Sequence, residues 1–141
     1  MKADEEVDAK LLIAWIVALT ATMGALFIGE VLGKAPCSLC WQQRIFMFPI
    51  AILLALGLWW NDRAIGRYAL ALALPGVGFA AWHLGLYWDL VPKPAVPCSA
   101  TGPSCSGEDQ AVLGVPIALL SLTAFTMIAV LSALSVRENQ K

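Results

Sequence analysis

Long apolar runs without a formal charge limit the possible folds of this chain more than any other feature. A run that approaches about 20 residues can cross the hydrocarbon core of a bilayer as a helix. In lipid every backbone amide must be paired within the segment, and these runs lack the alternation of membrane strands. Four such runs are present, at residues 11–29, 45–61, 68–88 and 111–136. The sequence therefore predicts an all-α integral membrane four-helix bundle.

The composition agrees with a membrane domain. Of the 141 residues, 60% are hydrophobic and 13% are charged, whereas about 25% of residues are charged in an average soluble domain. The connections between the runs are short, so we expect residues 1–141 to form a single membrane domain. The net charge of −1 gives no indication of nucleic-acid binding. The predicted spans cover about residues 11–32, 41–60, 66–89 and 112–135.

Lysine and arginine predict the orientation of the bundle, because cytoplasmic loops carry an excess of both. The side that holds the two tails and the loop at 61–67 has six basic residues, and the other side has three. The six are Lys2, Lys10, Arg63, Arg67, Arg137 and Lys141, and the three are Lys34, Arg44 and Lys93. We therefore expect both termini in the cytoplasm and both cysteine pairs on the extracytoplasmic side, where disulfides persist.

A Cys-x-x-Cys motif, Cys37 to Cys40, lies where the first apolar run has ended and the second begins. Pro36 directly precedes the motif and is expected to break helical structure there. The second helix is therefore expected to begin within or just after the motif. A helix N-terminus stabilises thiolates and lowers their pKa. Arg44 follows on the same helical stripe, where a guanidinium would favour the thiolate. Alternatively, Arg44 extends to lipid headgroups and the cysteines form a structural bridge.

The second cysteine pair, Cys98 and Cys105, falls in a loop rich in proline, glycine and serine. An exposed disulfide in such a loop can be reached by a soluble protein thiol, although a rigid structural bridge is an equal interpretation. Together the two pairs permit a relay from a soluble dithiol to an acceptor in the lipid. A tetrathiolate metal site is a further possibility, but the spacing of the second pair is unusual for it. We therefore predict redox chemistry and no metal site.

The segment Pro36 to Pro49 reads PCSLCWQQRIFMFP, and its CxLCWxQR pattern is far narrower than a bare Cys-x-x-Cys. With this segment, the chain resembles the bacterial disulfide bond formation protein B (DsbB) family, in particular its short BdbC-like members. The resemblance covers nearly the whole chain, with four spans, the motif after the first and a cysteine pair between the third and fourth. The segment Gly114-Val115-Pro116 also resembles the family.

The resemblance implies an oxidoreductase in the bacterial inner membrane that supports disulfide bond formation. Such a protein reoxidises an extracytoplasmic thioredoxin-fold dithiol protein (DsbA-like) and passes the electrons to a quinone, either ubiquinone or menaquinone. Carried over to this chain, the disulfide of Cys98 and Cys105 oxidises the partner, and Cys98 is the sulfur attacked. Cys105 then forms a disulfide with Cys37, and this exchange frees Cys40 as a thiolate next to the quinone.

Two further residues take cofactor-binding roles from the resemblance. Arg44 would stabilise the Cys40 thiolate and a quinone oxygen, and His83 on the third span would lie on the quinone side. The alternative for His83 is a packed, hydrogen-bonded histidine. Gln42 and Gln43 add polarity near the motif, and for Gln42 we favour ordinary solvation at the interface. The separation of Cys98 and Cys105 is shorter than in long DsbB members, which leaves the geometry of any interloop bridge open.

Three other functions compete with this interpretation. A vitamin K epoxide reductase-like enzyme also uses quinones and a Cys-x-x-Cys motif, but its loop cysteines precede the motif in the chain. A metal-handling membrane protein would carry ligands along a path, whereas Met23, Met47 and Met127 are scattered here. If the protein were a purely structural membrane subunit, its cysteines would never exchange and it would not respond to quinone.

Overall fold

The structure, a computed structural model, describes residues 2–92 and 111–140, with side chains from residue 5 onward. Four helices in the described residues are long and apolar enough to cross a membrane, which confirms the predicted all-α four-helix membrane fold. They are α1 (Lys2–Leu26), α2 (Ser38–Trp60), α3 (Ile65–Tyr87) and α4 (Ile117–Asn139). A π-helical turn, Phe27–Val31, continues α1. A short antiparallel hairpin pairs Ala111–Val112 with Val115–Pro116 just before α4.

The helices form a ring in chain order. Each of α1, α2 and α3 packs along the next helix, and α4 closes the ring against α1, while α2 and α4 lie diagonally and barely touch. The centre of the ring is filled by small residues and a few large ones, including Ile50, Leu54, Phe125 and Ile128. Gly76 of α3 lies directly under the ring of Phe125, where any Cβ atom would collide with it. Small residues of this kind allow close helix packing in membranes.

The outward faces of the helices are apolar. Large hydrophobic side chains remain exposed on all four helices, among them Ile16, Ile52, Leu74 and Val130. So many exposed large hydrophobic side chains on every helix are unusual for a soluble protein and suit contact with lipid. The distribution of side chains therefore agrees with the membrane assignment.

At one end of the bundle, ion pairs connect neighbouring helices and the α2–α3 connection. Arg63, in the α2–α3 connection, donates from Nε to Asp8 Oδ1 of α1 at 2.9 Å. Lys10 of α1 pairs with Glu138 near the end of α4. The start of α1, the α2–α3 connection and the end of α4 therefore share this end.

The opposite end carries the Cys-x-x-Cys motif. Lys34, which precedes the motif, donates from Nζ to the carbonyl oxygen of Ala111 at 2.7 Å. Val91, after α3, packs against a buried cluster that contains Cys37 and Cys40. The described residues on both sides of the segment 93–110 therefore lie at the same end as the motif.

The start of the fourth helix differs from the expected span at 112–135. Leu113 and Gly114 adopt positive φ angles of 54° and 81°, which reverse the chain between the two short strands. Pro116 then has a ψ of 131°, outside the helical region, and α4 begins at Ile117. Apolar composition alone cannot distinguish this hairpin from a helical turn, and the reversal depends on its local turn residues.

Candidate redox site

Cys37 and Cys40 form the first turn of α2. Cys37 is the N-cap residue, with an extended ψ of 171°, and its Sγ accepts a hydrogen bond from the Cys40 backbone N–H at 3.3 Å. The three-residue spacing brings both side chains to the same side of the helix start. Their Sγ atoms lie 2.8 Å apart, and both cysteines are reduced thiols in this structure. The pair is therefore positioned for reversible disulfide formation.

Both thiols are withdrawn from solvent. Cys37 is 1% exposed and Cys40 is 8% exposed. The hydrogen bond that Cys37 shares with the Cys40 thiol, together with burial, raises the pKa of Cys37 to about 12. The contact with His83 and the Cys40 N–H act in the opposite direction but are weaker. The expectation that the helix N-terminus lowers the pKa is therefore wrong for Cys37, because burial and a shared proton favour the neutral thiol.

His83 of α3 lies against the first cysteine of the motif. Its Nε2 is 3.8 Å from Cys37 Sγ, and its side chain is fully buried. Its Nδ1 is 3.0 Å from Nε2 of Gln43, which is 5% exposed. His83 is thus held between a thiol and a side-chain amide.

Gln43 is a site residue that the sequence analysis left without a role. Gln42 is exposed, as expected for interfacial solvation, but Gln43 points into the bundle. The sequence feature that could have identified Gln43 is its spacing, three residues after Cys40 and four before Met47. In the structure all three residues are buried on the inward stripe of α2. That spacing identifies an inward position, but it does not reveal that His83 of another helix is the partner.

Arg44 is directed toward α1. Its Nη2 donates to the Ala25 carbonyl oxygen at 2.7 Å, and its guanidinium lies 5.5 Å from the centre of the Trp41 ring. The π-helical turn passes beside it, with the Leu32 N–H bonded to the carbonyl of Phe27, five residues back. A Cβ atom on Gly29 of this turn would lie 3.1 Å from Arg44 Nη2. π-Helical turns are frequent at functional sites, and this one leaves space for the guanidinium.

An open cavity of about 460 Å³ lies between α1, α2 and α4. Its wall is mainly apolar, and near the Cys-x-x-Cys motif it includes Cys40, Gln43, Arg44 and Lys34. Its apolar part comes from all three helices and includes Ile16, Val17, Ala21, Ile28, Met47, Phe48, Leu120 and Phe125. Small-molecule sites commonly combine such a volume and an apolar wall with a few polar groups.

The wall of the cavity contains one cysteine of the pair but not the histidine. Cys40 and Arg44 line the cavity, whereas the residues that line it include neither Cys37 nor His83. Four of the six predicted site residues, namely Cys37, Cys40, Arg44 and His83, are therefore brought into one region. The other two, Cys98 and Cys105, lie outside the described residues.

Comparison with known proteins identifies the family. The family model described as "Disulfide bond formation protein DsbB" matches residues 8–135. A "Probable disulfide formation protein" of Metapseudomonas resinovorans is 52% identical over 122 residues, covering 86% of this chain and 85% of the relative. "Disulfide bond formation protein C" of Bacillus subtilis (strain 168) is 33% identical over 127 residues, covering 86% of this chain and 88% of the relative.

A "Probable disulfide formation protein" of Deinococcus radiodurans is 36% identical over 132 residues, which covers 88% of this chain and 86% of the relative. No solved structure matches the chain. The family match extends across all four helices and includes the cysteine motif, and it supports a role in disulfide formation with oxidoreductase activity. This membrane chain therefore belongs to the disulfide bond formation protein B (DsbB) family.

Proposed function

We propose that this protein reoxidises a soluble, extracytoplasmic thioredoxin-fold dithiol protein and transfers the electrons to a membrane quinone. One observation carries the proposal: the thiol of Cys40 and the side chain of Arg44 both line an apolar cavity between the helices. An acceptor dissolved in the lipid can therefore meet a redox thiol without leaving an apolar environment. Family membership supports the thiol chemistry.

The cavity residues fit a quinone head group. A quinone is largely apolar with two carbonyl oxygens, and the wall is apolar with the cationic Arg44 near Cys40. Arg44 has five N–H donors, and its Nη2 already donates to Ala25. The other donors of the guanidinium would hold a carbonyl oxygen, and Gln43 offers a neutral amide in the same wall. When bound, a quinone would supply a two-electron, two-proton acceptor. Ubiquinone and menaquinone share these features.

The proposed relay conserves electrons at each thiol step. The partner's two thiols reduce the Cys98–Cys105 disulfide, which yields a partner disulfide and two thiols in the loop. These two thiols then reduce a Cys37–Cys40 disulfide by the same exchange. The described residues that flank the loop, Val91 and Ala111, lie at the Cys-x-x-Cys end of the bundle, which supports contact between the pairs.

His83 is assigned to the thiol side of this relay. The family resemblance implied a quinone-side histidine, but the 3.8 Å contact of Nε2 with Cys37 Sγ supports a role at that sulfur. An imidazole with its proton on Nδ1 can accept the Cys37 proton at Nε2 when this thiol closes a disulfide with Cys40. Gln43 lies 3.0 Å from Nδ1, and a half-turn of its amide presents Oε1 in place of its own Nε2. This oxygen then accepts from Nδ1–H and keeps the imidazole Nε2 facing the thiol.

The proposed orientation places the cysteine end outside the cytoplasm in the inner membrane. The other end contains Lys10 and Arg63, both in ion pairs with acidic residues of neighbouring segments. Arg67 and Arg137 lie at the same end, and with Lys2 and Lys141, counted along the sequence, that side has six of the nine basic residues in the chain. The excess predicts a cytoplasmic location for that end.

The proposal is tested by quinone reduction with purified protein in detergent, using a reduced thioredoxin-fold dithiol protein as donor. Wild type should turn over, and Cys40→Ala and Cys105→Ala should each abolish turnover. Gly78→Ala serves as the control, because nothing in the described part of the chain lies within 4 Å of the added methyl group. Failure of folded wild type to turn over with ubiquinone, menaquinone or any dithiol donor would overturn the proposal.

A further inference from the structure

Three metal-ligating groups converge at the cysteine motif. One ligand atom from each of Cys37, Cys40 and His83 lies within 4.8 Å of the other two, and all three residues are buried. We propose that the reduced Cys-x-x-Cys pair and His83 form a binding site for a soft divalent cation such as Zn²⁺ or Cd²⁺. The site differs from a four-cysteine site, because it uses one cysteine pair and a histidine from another helix. It does not depend on a quinone or on a partner protein.

The ligand set suits a soft divalent ion. Thiolate and imidazole ligands select zinc over hard cations such as Mg²⁺ and Ca²⁺. Zinc binds thiolate at about 2.3 Å and imidazole at about 2.0–2.1 Å. The sulfurs, now 2.8 Å apart, must separate to admit an ion. Cys37 can provide this movement because it is the N-cap residue, with an extended backbone outside the regular helix.

Charge balance favours a divalent ion in this buried place. Binding converts two neutral thiols to thiolates and releases two protons, while His83 coordinates through an uncharged ring nitrogen. Two thiolates and one divalent cation sum to zero charge. Because an uncompensated buried charge is costly, a neutral complex suits residues as buried as Cys37 and His83.

Gln43 supplies the supporting contact that a ligating histidine needs. The second ring nitrogen of such a histidine usually donates a hydrogen bond to a fixed acceptor. Gln43 lies 3.0 Å from His83 Nδ1, and a half-turn of its amide presents Oε1 in place of Nε2. With Nδ1–H bonded to Gln43, the lone pair of Nε2 is directed toward Cys37, where the ion would lie. Cys40 also lines the open cavity, which provides a route of entry.

The site exists only in the reduced protein, because a Cys37–Cys40 disulfide has no thiolate to offer. Metal binding and oxidation therefore exclude each other. A bound ion would hold the pair reduced and remove it from the relay, so the same residues would also form an inhibitory site.

The test measures Co²⁺ binding to the full chain carrying Cys98→Ala and Cys105→Ala, so that only the Cys-x-x-Cys pair can supply thiolates. Anaerobically reduced protein in detergent is titrated with Co²⁺, and thiolate-to-cobalt charge-transfer absorption reports sulfur ligation. Zn²⁺ affinity follows from displacement of the cobalt. We expect one equivalent bound with two sulfur ligands, and no binding after the pair is oxidised. Equal binding by oxidised and reduced protein, or no binding by reduced protein, would overturn the proposal.

Two substitutions test the part played by the third helix. His83→Ala should weaken binding at least 100-fold, and Gln43→Ala should weaken it by about 10–100-fold, as expected for a residue that supports a ligand. Gln42→Ala is the matched control, because this neighbouring glutamine is exposed and should bind like the parent. Helix content by circular dichroism verifies folding. If His83→Ala is unfolded, Gln43→Ala carries the test. Unchanged affinity of folded His83→Ala, or affinities of Gln43→Ala and Gln42→Ala that match, would contradict coordination by a histidine that Gln43 holds.

Discussion

The Arg44 guanidinium donates a hydrogen bond to the Ala25 carbonyl oxygen at 2.7 Å and thereby joins the second helix to the first. Ala25 lies just before the π-helical turn, and both residues line the apolar cavity. The bond fixes the direction of a long cationic side chain that shares the cavity wall with Cys40. A fixed cation is better suited to hold a carbonyl oxygen or a developing negative charge than one that must be ordered on binding.

Gly29 keeps the space that Arg44 occupies. Gly29→Ala places a methyl group 3.1 Å from Arg44 Nη2, so the guanidinium must move. We expect turnover with quinone to fall about tenfold, which corresponds to a loss of about 1.4 kcal/mol in transition-state stabilisation. Steady-state quinone reduction gives the measurement, and Gly78→Ala is the control because its methyl group meets nothing within 4 Å. Equal turnover of the two variants would show that Gly29 has no positioning role.

The shape of the Arg44 side chain should matter as well as its charge. Arg44→Lys retains the positive charge but loses the planar set of donors that can serve Ala25 and a ligand together. We expect the KM for quinone to rise about tenfold, while disulfide exchange with the soluble dithiol partner stays within about twofold. The two steps are separated by measuring quinone reduction and partner oxidation independently. Equal loss in both steps would indicate a folding defect instead.

The packing of α3 on α4 predicts a difference between two glycines of one helix. Gly76→Ala places a methyl group against the Phe125 ring, whereas Gly78→Ala adds one in open space. Overpacking of this kind costs about 1–3 kcal/mol. Thermal unfolding in detergent should therefore show a clearly lower midpoint for Gly76→Ala than for Gly78→Ala. Coincident unfolding curves would contradict the described contact between α3 and α4.

The orientation can be tested with single cysteines in a variant whose four natural cysteines are replaced by alanine. Asp62→Cys lies exposed in the α2–α3 connection, and Leu113→Cys lies in the hairpin, where Leu113 is 100% exposed. A membrane-impermeant thiol reagent added to intact cells should label Leu113→Cys and not Asp62→Cys. After the cells are opened, both should react. The reverse pattern would place the Cys-x-x-Cys end in the cytoplasm.

Much of the fold follows from the sequence, because charge-free runs of span length leave few alternatives in lipid. The four helices and their approximate positions were predictable for this reason. The π-helical turn at Phe27–Val31 and the hairpin before α4 were not, because each depends on local backbone geometry within an apolar sequence. Apolar periodicity does not encode such details.

The candidate site was predictable in part. The spacing of Cys37, Cys40 and Arg44 identified residues that the structure places together, because they lie on consecutive turns of one helix. The contact of His83 with Gln43 joins different helices and depends on how α3 rotates against α2. The pKa of Cys37 was wrongly expected to fall, because the hydrogen bond with the Cys40 thiol and then burial raise it, and neither can be judged from the spacing of the motif alone.

In the proposed mechanism, the Cys37–Cys40 pair delivers electrons directly to quinone in the membrane cavity. The most direct test uses the Cys98→Ala and Cys105→Ala variant, reduced, freed of reductant and mixed anaerobically with quinone. We expect two thiols to disappear for each quinone reduced and one quinone to be consumed per protein, and we expect Cys40→Ala to stop the reaction. Retention of both thiols by folded protein in the presence of excess ubiquinone or menaquinone would contradict it.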